Sequence, residues 1–281
     1  PKTVDNDLAV TDCCPGFGSV AKYVSTSIRE AGYDVGSMCR TSTRVFVLEV
    51  MGRHAGWITA ACGLAAEKEG DDPHILLFPE TPFDQVRFLA RVDETIRRHG
   101  HCTIGVSEGL RWPDGRFLSE WGLKDAFAHA QLGGVAPMIA QLVKDKLKQK
   151  YHWAVADYLQ RSARHIASKT DVLQSYAVGK AAVELAVKGV SGVMPIVVRK
   201  SSKPYRWEIG VAQLKDVANK EKFMPRDFIT DAGFHTTAKC REYLAPLVVG
   251  EDYPPYRNGL PDFVKMKKVA VPKKLNTPFK I

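Results

Sequence analysis

The chain has 281 residues, of which 45% are hydrophobic and 25% charged, a balance typical of a globular protein with a sizeable core. Its net charge of +9 is compatible with nucleic acid or with small anionic substrates, but the basic residues are largely dispersed and accompany no recognisable nucleic-acid-binding module. No run of about 18 apolar residues occurs, so the sequence predicts no membrane span.

The six cysteines are spread along the chain without a C-x-x-C pair or a repeated spacing. This pattern argues against a zinc site or a disulfide framework, and it favours reduced thiols. We therefore expect a cytoplasmic protein.

The first seven residues, P-K-T-V-D-N-D, are predicted to form a loop in which Asp5 and Asp7 stand two positions apart. Phosphoryl transfer needs one carboxylate to accept a hydroxyl proton and often another to hold Mg²⁺, while Lys2 could neutralise charge on the transferred group. An ordinary Asx turn explains the same spacing, so the motif alone leaves both interpretations open.

Strands and helices are predicted to alternate through most of the chain. The predicted strands are 45–50, 75–78, 102–106, 153–159, 193–198 and 207–214. The predicted helices are 17–31, ended by Gly32, and 57–68, 84–99, 135–148 and 171–187. Residues 111–132 are predicted to form an elaborated loop, and the remainder a closing segment. This alternation is typical of a doubly wound α/β fold with mostly parallel sheets and helices on both faces.

Polar side chains stand where three predicted strands end: Arg53 after the strand 45–50, Glu108 after 102–106, and Arg161 after 153–159. Because the carboxyl ends of parallel strands share one edge, we expect these groups and Asp5 to meet in one cleft. Arginines there predict a phosphorylated ligand, since each charge-assisted hydrogen bond contributes about 1.5–3 kcal/mol. The residues thus indicate an enzyme acting on a phosphorylated ligand with a carboxylate base. Taken alone, Arg53 could equally be a surface arginine in an ordinary turn.

Four motifs, at residues 1–7, 44–56, 107–109 and 158–162, together resemble the phosphofructokinase family over nearly the whole chain. The P-K-T-x-D-N-D form and Y-L-Q-R at 158–161 are similar to its pyrophosphate-dependent branch. The resemblance implies reversible phosphoryl transfer from diphosphate to the 1-hydroxyl of fructose 6-phosphate, giving fructose 1,6-bisphosphate and phosphate, with Mg²⁺ as cofactor. A histidine commonly stands in the ATP-dependent branch at the position of Tyr158, which favours diphosphate.

The resemblance also implies roles for single residues. Asp5 would be the general base, Lys2 would stabilise the transition state, and Asp7 would lie near Mg²⁺. The implied substrate-binding residues are Thr3, Val4, Asp5, Arg44, Met51, Gly52, Arg53, Glu108, Tyr158, Leu159, Gln160 and Arg161. Of these, Arg44 would reach the site of a neighbouring subunit, so we expect a homodimer or a larger homo-oligomer.

In the family, a glycine-rich donor loop with G-G-D precedes P-K-T-x-D-N-D, and this chain begins after it. We therefore expect two Rossmann-like lobes with the first incomplete. Residues 1–16 and 160–235 would form the remainder of the donor-binding lobe, residues 17–159 the fructose 6-phosphate lobe, and residues 236–281 a closing segment. Three alternatives stay open: an ATP-dependent phosphofructokinase, a non-catalytic sugar-phosphate-binding fragment or regulatory paralogue, and a basic nucleic-acid binder.

Overall fold

The computed structural model describes residues 1–124, 130–132, 134–270, 272 and 274. The helices are α1 Phe17–Met38, α2 Trp57–Cys62, α3 Gln85–His99, α4 Val135–Leu147, α5 Asp157–Ser162, α6 Lys169–Val187, α7 Leu214–Val217 and α8 Ala238–Leu244. The strands are β1 Val45–Val50, β2 Ile75–Leu77, β3 Cys102–Ser107, β4 Glu120–Lys124, β5 Ala130–Leu132, β6 Tyr151–Val155, β7 Val193–Ser202, β8 Tyr205–Gln213, β9 Tyr256–Arg257 and β10 Leu260–Pro261.

A four-stranded sheet in the order β2-β3-β1-β6 forms the centre of the fold, and all its pairings are parallel. Its two faces are covered by different helices. Helices α1 and α2 enclose one buried cluster with Leu48 and Leu76, and α3 and α4 enclose the other with Val47 and Ile104. Because both faces are buried, β1, β2 and β3 are mostly apolar rather than alternating, whereas the edge strand β6 is partly exposed. The predicted doubly wound, parallel α/β fold with helices on both faces is confirmed.

The first two helices differ in length from the prediction. Helix α1 continues through Gly32 to Met38, because Gly32 stays helical and its missing side chain admits Asp72, whose Cγ lies only 2.4 Å from where a Cβ would be. The predicted helix 57–68 ends at Cys62 and is followed by a single 3₁₀ turn, Gly63–Ala65.

The strand predicted over 153–159 is wrong in its second half. Strand β6 ends at Val155, and α5 begins at Asp157. Tyr158 to Arg161 therefore lie in a short helix rather than on a strand, so their side chains follow helical spacing and point in different directions.

The remaining segments also contain structure that the sequence pattern did not resolve. The predicted loop 111–132 includes the antiparallel pair β4–β5, and residues 125–129 lie outside the described part. The two late strands form the long antiparallel hairpin β7–β8, separate from the central sheet.

In the closing segment, Cys240 and Leu244 are buried, whereas residues 263–270 are exposed. The division into lobes stays a prediction.

Within the described ranges, none of the helices combines the length and the apolar character that a bilayer crossing requires.

Candidate active site

The turn after β1 is fastened to the end of β3. The Ser107 hydroxyl donates a hydrogen bond to the Gly52 carbonyl at 2.6 Å, and the Gly52 N–H donates to Oε1 of Glu108 at 3.3 Å. Gly52 has a φ of 119°, a conformation that favours glycine. Gly109 is pressed against Arg53, since a Cβ there would lie 1.9 Å from the Arg53 carbonyl oxygen. The Gly52–Arg53 turn and Glu108 therefore form one rigid rim at the carboxyl edge of the sheet.

The end of β6 joins the same rim through Gln160. Its side chain is 2% exposed, and its Oε1 accepts a hydrogen bond from the Met51 N–H at 3.4 Å. This hydrogen bond gives the Gln160 side chain a role in holding the turn in place, and its contact with a ligand stays a prediction. On the open side, Tyr158 and Leu159 are exposed, and the Arg161 guanidinium lies 4.1 Å from the centre of the Tyr158 ring.

The N-terminal loop is held by Asn6, which sequence reasoning overlooked. Asn6 is fully buried with a φ of 63°, a left-handed conformation that asparagine tolerates better than most residues. Its Oδ1 accepts hydrogen bonds from the Cys14 N–H at 3.0 Å and from Nζ of Lys222 at 3.2 Å. Its Nδ2 donates to the hydroxyl of Tyr243 at 3.1 Å. Asn6 thereby fixes the backbone between Asp5 and Asp7.

Lys222 is the second residue that the sequence did not reveal. Its ammonium also donates to the carbonyl oxygens of Thr11 at 3.1 Å and Asp12 at 2.8 Å. Burial lowers the pKa of Lys222, although the nearby anionic groups oppose that shift. No local signal marks this lysine, because it stands among other charged residues in a segment that resembles a solvated surface.

The acidic and basic groups named above are close enough to affect one another's ionisation. Burial raises the pKa of Asp5 to about 6, and the negative charges of Asp7 and Glu108 add to this upward shift. The positive charges of Arg161 and Arg53 oppose it. Burial likewise raises the pKa of Glu108, against the pull of Arg53. The N-terminal loop, the β1 turn, the β3 end and α5 therefore contribute to a single site.

Other predicted residues lie at the margin of this site or away from it. Lys2 is exposed near the loop, and the Thr3 hydroxyl accepts a hydrogen bond from the Asp5 N–H at 3.0 Å. Val4 packs against the core beside α1, so its side chain supports the loop from the core side.

Arg44 precedes β1 and donates from Nε to the Cys39 carbonyl at 3.1 Å. It lies at the opposite edge of the sheet, about 20 Å from Arg53 by strand length, and takes no part in the site of its own chain.

Glu49, the one charged residue within the apolar strand β1, has a structural role. It is 5% exposed, and its Oε2 accepts a hydrogen bond from the Ala136 N–H at 2.7 Å. Burial raises the pKa of Glu49, while hydrogen bonds from the first turn of α4 lower it. A carboxylate suits this position because the amino end of a helix presents unpaired N–H groups.

The donor set at Asp5 and Asp7 suits a hard divalent cation. Within the described residues, neither carboxylate forms an ion pair, and oxygen ligands of this type are those that Mg²⁺ prefers. The carboxylate of Asp7 therefore fits the Mg²⁺ ion that the resemblance implies near it.

A parallel α/β sheet whose carboxyl edge gathers carboxylates and arginines around a partly buried aspartate defines an enzyme that handles a phosphorylated ligand. The chain belongs to the phosphofructokinase family, whose model matches residues 1–186.

Two relatives from other bacteria are similar over all or nearly all of the chain. A protein of Methylococcus capsulatus, named pyrophosphate–fructose 6-phosphate 1-phosphotransferase, is 63% identical over 281 residues, which is 100% of this chain and 67% of that protein. A protein of Halomonas elongata with the same name is 61% identical over 98% of this chain and 66% of its own length. The chain thus spans about two thirds of the length of these relatives.

A solved structure gives the same result at the level of the backbone. The crystal structure of pyrophosphate-dependent phosphofructokinase from Marinobacter aquaeolei superposes with a TM-score of 0.90 at 56% identity. The match covers 100% of this chain and 67% of that one.

Proposed function

We propose that this chain carries the sugar-phosphate and catalytic residues of an enzyme that transfers a phosphoryl group from diphosphate to the 1-hydroxyl of fructose 6-phosphate. The products are fructose 1,6-bisphosphate and phosphate, and the reaction runs in both directions. The observation that carries the proposal is the meeting of Asp5 with Arg53, Glu108 and Arg161 at one rim. The names and the high identity of the relatives support diphosphate as donor.

Asp5 acts as the general base in this proposal. It takes the proton from the 1-hydroxyl as the new O–P bond forms, while the bridging P–O bond of diphosphate breaks and phosphate leaves. A carboxylate with a pKa of about 6 is mostly ionised at neutral pH and remains basic enough to accept that proton. Lys2 and the arginines neutralise charge that builds up on the transferred group.

The rim holds the sugar phosphate. The turn formed by Met51, Gly52 and Arg53 binds the sugar. Glu108 accepts hydrogen bonds from the sugar hydroxyls. Tyr158 and Arg161 bind the phosphate end of the sugar. Thr3 and the exposed Leu159 line the same opening. Asp7 lies near Mg²⁺, which when bound would offset the negative charge of the diphosphate oxygens.

Arg44 belongs to the site of a second subunit in this proposal, and the assembly is a homodimer or a larger homo-oligomer. Its position at the amino edge of the sheet supports this assignment, because it cannot serve its own chain's rim. The free cysteines of the described residues, five of them buried, are consistent with a cytoplasmic location.

The test is the variant Asp5→Ser, with Asp231→Asn as a control that removes an exposed carboxylate. We expect Asp5→Ser to lower turnover by roughly 10²–10⁴-fold in a fructose 1,6-bisphosphate assay, with little change in fructose 6-phosphate binding by calorimetry. Diphosphate and ATP are supplied in separate reactions to identify the donor. Turnover by Asp5→Ser at the wild-type rate contradicts the proposed base, and binding without phosphate release by the wild type favours the non-catalytic alternative.

A further inference from the structure

Three potential metal ligands meet at the amino edge of the sheet, opposite to the candidate active site. His74 directly precedes β2 and Asp72 lies two positions before His74, while His101 directly precedes β3. Oδ1 of Asp72 lies 3.2 Å from Nδ1 of His74 and 3.2 Å from Nε2 of His101. One ligand atom from each of the three residues lies within 4.8 Å of the other two. Their side chains are only 4%, 11% and 14% exposed for His74, Asp72 and His101.

Helix α1 is shaped to admit this cluster. A Cβ on Gly32 would lie 2.4 Å from Cγ of Asp72, and a Cβ on Gly36 would lie 3.4 Å from Cε1 of His101. Gly32 and Gly36 are one helical turn apart, so they present one face of α1 without side chains. Glycine costs about 1 kcal/mol relative to alanine within a helix, and here two glycines leave room for the cluster.

Nδ1 of His74 lies between a donor and an acceptor. The Thr103 N–H donates to this nitrogen at 3.2 Å, which uses its single lone pair. The Asp72 carboxylate, which is also an acceptor, lies 3.2 Å from the same Nδ1. A cation bound to Nδ1 would take that lone pair in place of the Thr103 N–H and would separate the two acceptors.

Two further nitrogen atoms of the cluster have no partner. Nε2 of His74 and Nδ1 of His101 are buried and form no hydrogen bond within the described residues. Buried polar atoms are rarely left unsatisfied, because each costs about 1–3 kcal/mol. When one ring nitrogen of a histidine binds a cation, the ring proton stays on the other nitrogen. Nε2 of His74 and Nδ1 of His101 are free to carry that proton.

The distances fit a small divalent ion. A tetrahedral ion with bonds of about 2.0–2.1 Å places its ligands about 3.3 Å apart, close to the 3.2 Å of both contacts to Asp72. The third edge, between the two imidazole nitrogens, is at most 4.8 Å and would have to shorten by about 1.5 Å or less. Two imidazoles and one carboxylate form a set that zinc and its neighbours bind well, whereas Mg²⁺ prefers oxygen ligands alone.

We propose that Asp72, His74 and His101 bind a zinc-type divalent cation, with water in the remaining position. Two cavities flank the cluster and give access to it. His74 lines one of about 740 Å³, and Asp72 and His101 line the other, of about 510 Å³. The ion joins the start of β2, the start of β3 and the glycine face of α1. It is a structural site, separate from the site at Asp5 and Asp7.

The test uses purified, tag-free protein with Mg²⁺ in excess, so that the carboxylates of the active-site loop are occupied. Co²⁺ is titrated as a spectroscopic probe, and Zn²⁺ is tested by thermal unfolding. The variants are Asp72→Asn and His101→Gln, which keep the side-chain shapes closely. His165→Gln is the control, because it removes an exposed imidazole elsewhere. Circular dichroism establishes that each variant folds.

We expect the wild type and His165→Gln to bind one equivalent of Co²⁺ with visible absorption bands of a low-coordinate site. Both cluster variants should bind at least 10- to 100-fold more weakly, in line with the loss of a ligand or its support. Zn²⁺ at a hundredfold excess over its Kd should raise the Tm by about 5 °C in the wild type only. Equal Co²⁺ binding by the wild type and by folded cluster variants overturns the proposal, as does the absence of binding to the wild type at about 1 mM Co²⁺.

Discussion

The side-chain oxygen of Gln160 accepts a hydrogen bond from the backbone N–H of Met51, 109 residues away in sequence, at 3.4 Å. This contact ties the helix that follows β6 to the turn that follows β1. It links the helix that carries the exposed Tyr158 and Arg161 to the turn that carries the half-buried Arg53, three residues that we propose bind the phosphorylated sugar.

The variant Gln160→Ala removes that tie. We expect KM for fructose 6-phosphate to rise about tenfold with a smaller change in kcat, because one hydrogen bond of about 1–1.5 kcal/mol is lost from the support of the binding rim. Steady-state kinetics measures both constants. Gln213→Ala, which truncates an exposed glutamine at the end of β8, should leave them unchanged. A fall in kcat at constant KM would contradict this supporting role.

Activity should depend on the ionisation of Asp5. Burial raises the pKa of Asp5 to about 6, and a general base works only when ionised. We expect log(kcat/KM) to rise with unit slope up to about pH 6 and to level off above it, so that at pH 5 the value is about one tenth of the plateau. An acidic limb centred near pH 4 would show that the free enzyme's base has an ordinary carboxyl pKa.

The same raised pKa has an opposite consequence for stability. Because folding raises the pKa of Asp5 from 3.8 to about 6, the folded chain binds more protons between these values, and its stability falls as pH rises through them. Asp5→Asn removes this cost. It should raise the free energy of unfolding by about 2–3 kcal/mol above pH 6 and have little effect below about pH 4. Urea unfolding at pH 4 and pH 7.5 measures the difference, and an equal effect at both pH values would refute the electrostatic origin.

Lys222 should control both stability and turnover. Lys222→Met leaves Asn6 and the Thr11 and Asp12 carbonyls without their shared donor, so we expect a loss of about 2–4 kcal/mol in unfolding free energy. The loop that carries Asp5 loses its anchor, and kcat should fall at least tenfold. The matched control is Lys220→Met, which removes an exposed lysine two positions away. Equal behaviour of the two variants would show that Lys222 does not anchor the loop.

Gly109 should not tolerate a methyl group, because a Cβ there would lie 1.9 Å from the Arg53 carbonyl oxygen. Gly109→Ala must displace the Gly52–Arg53 turn, and we expect KM for fructose 6-phosphate to rise at least tenfold. Gly179→Ala is the same substitution within α6, where nothing lies within 4 Å, and it should stabilise the protein by about 1 kcal/mol without changing KM. Wild-type KM in a folded Gly109→Ala variant would show that the turn adapts.

Sequence reasoning located most of the elements because their signals are local. The apolar run of β1 was predicted at its observed bounds, Val45–Val50. Helix α3 begins after Asp84, whose side chain caps the helix by accepting hydrogen bonds from the Val86 and Arg87 N–H groups. The failure at β6 is also local in origin. Ala156, Tyr158 and Leu159 resemble a continuing strand, and only Asp157, with a φ of 39°, marks where the chain turns into α5.

The sequence by itself determined the α/β class, the family, and which carboxylates and arginines stand at strand ends, because periodicity and motif spacing depend on residues only a few positions apart. The tertiary structure alone decided that Gln160 is buried beneath the rim, that Arg44 lies at the opposite edge, and that Lys222 holds Asn6 from 216 residues away. It also brought Asp72 and His101 together under a glycine face of α1. Such pairings follow from how buried surfaces pack, and packing depends on contacts that no local pattern records.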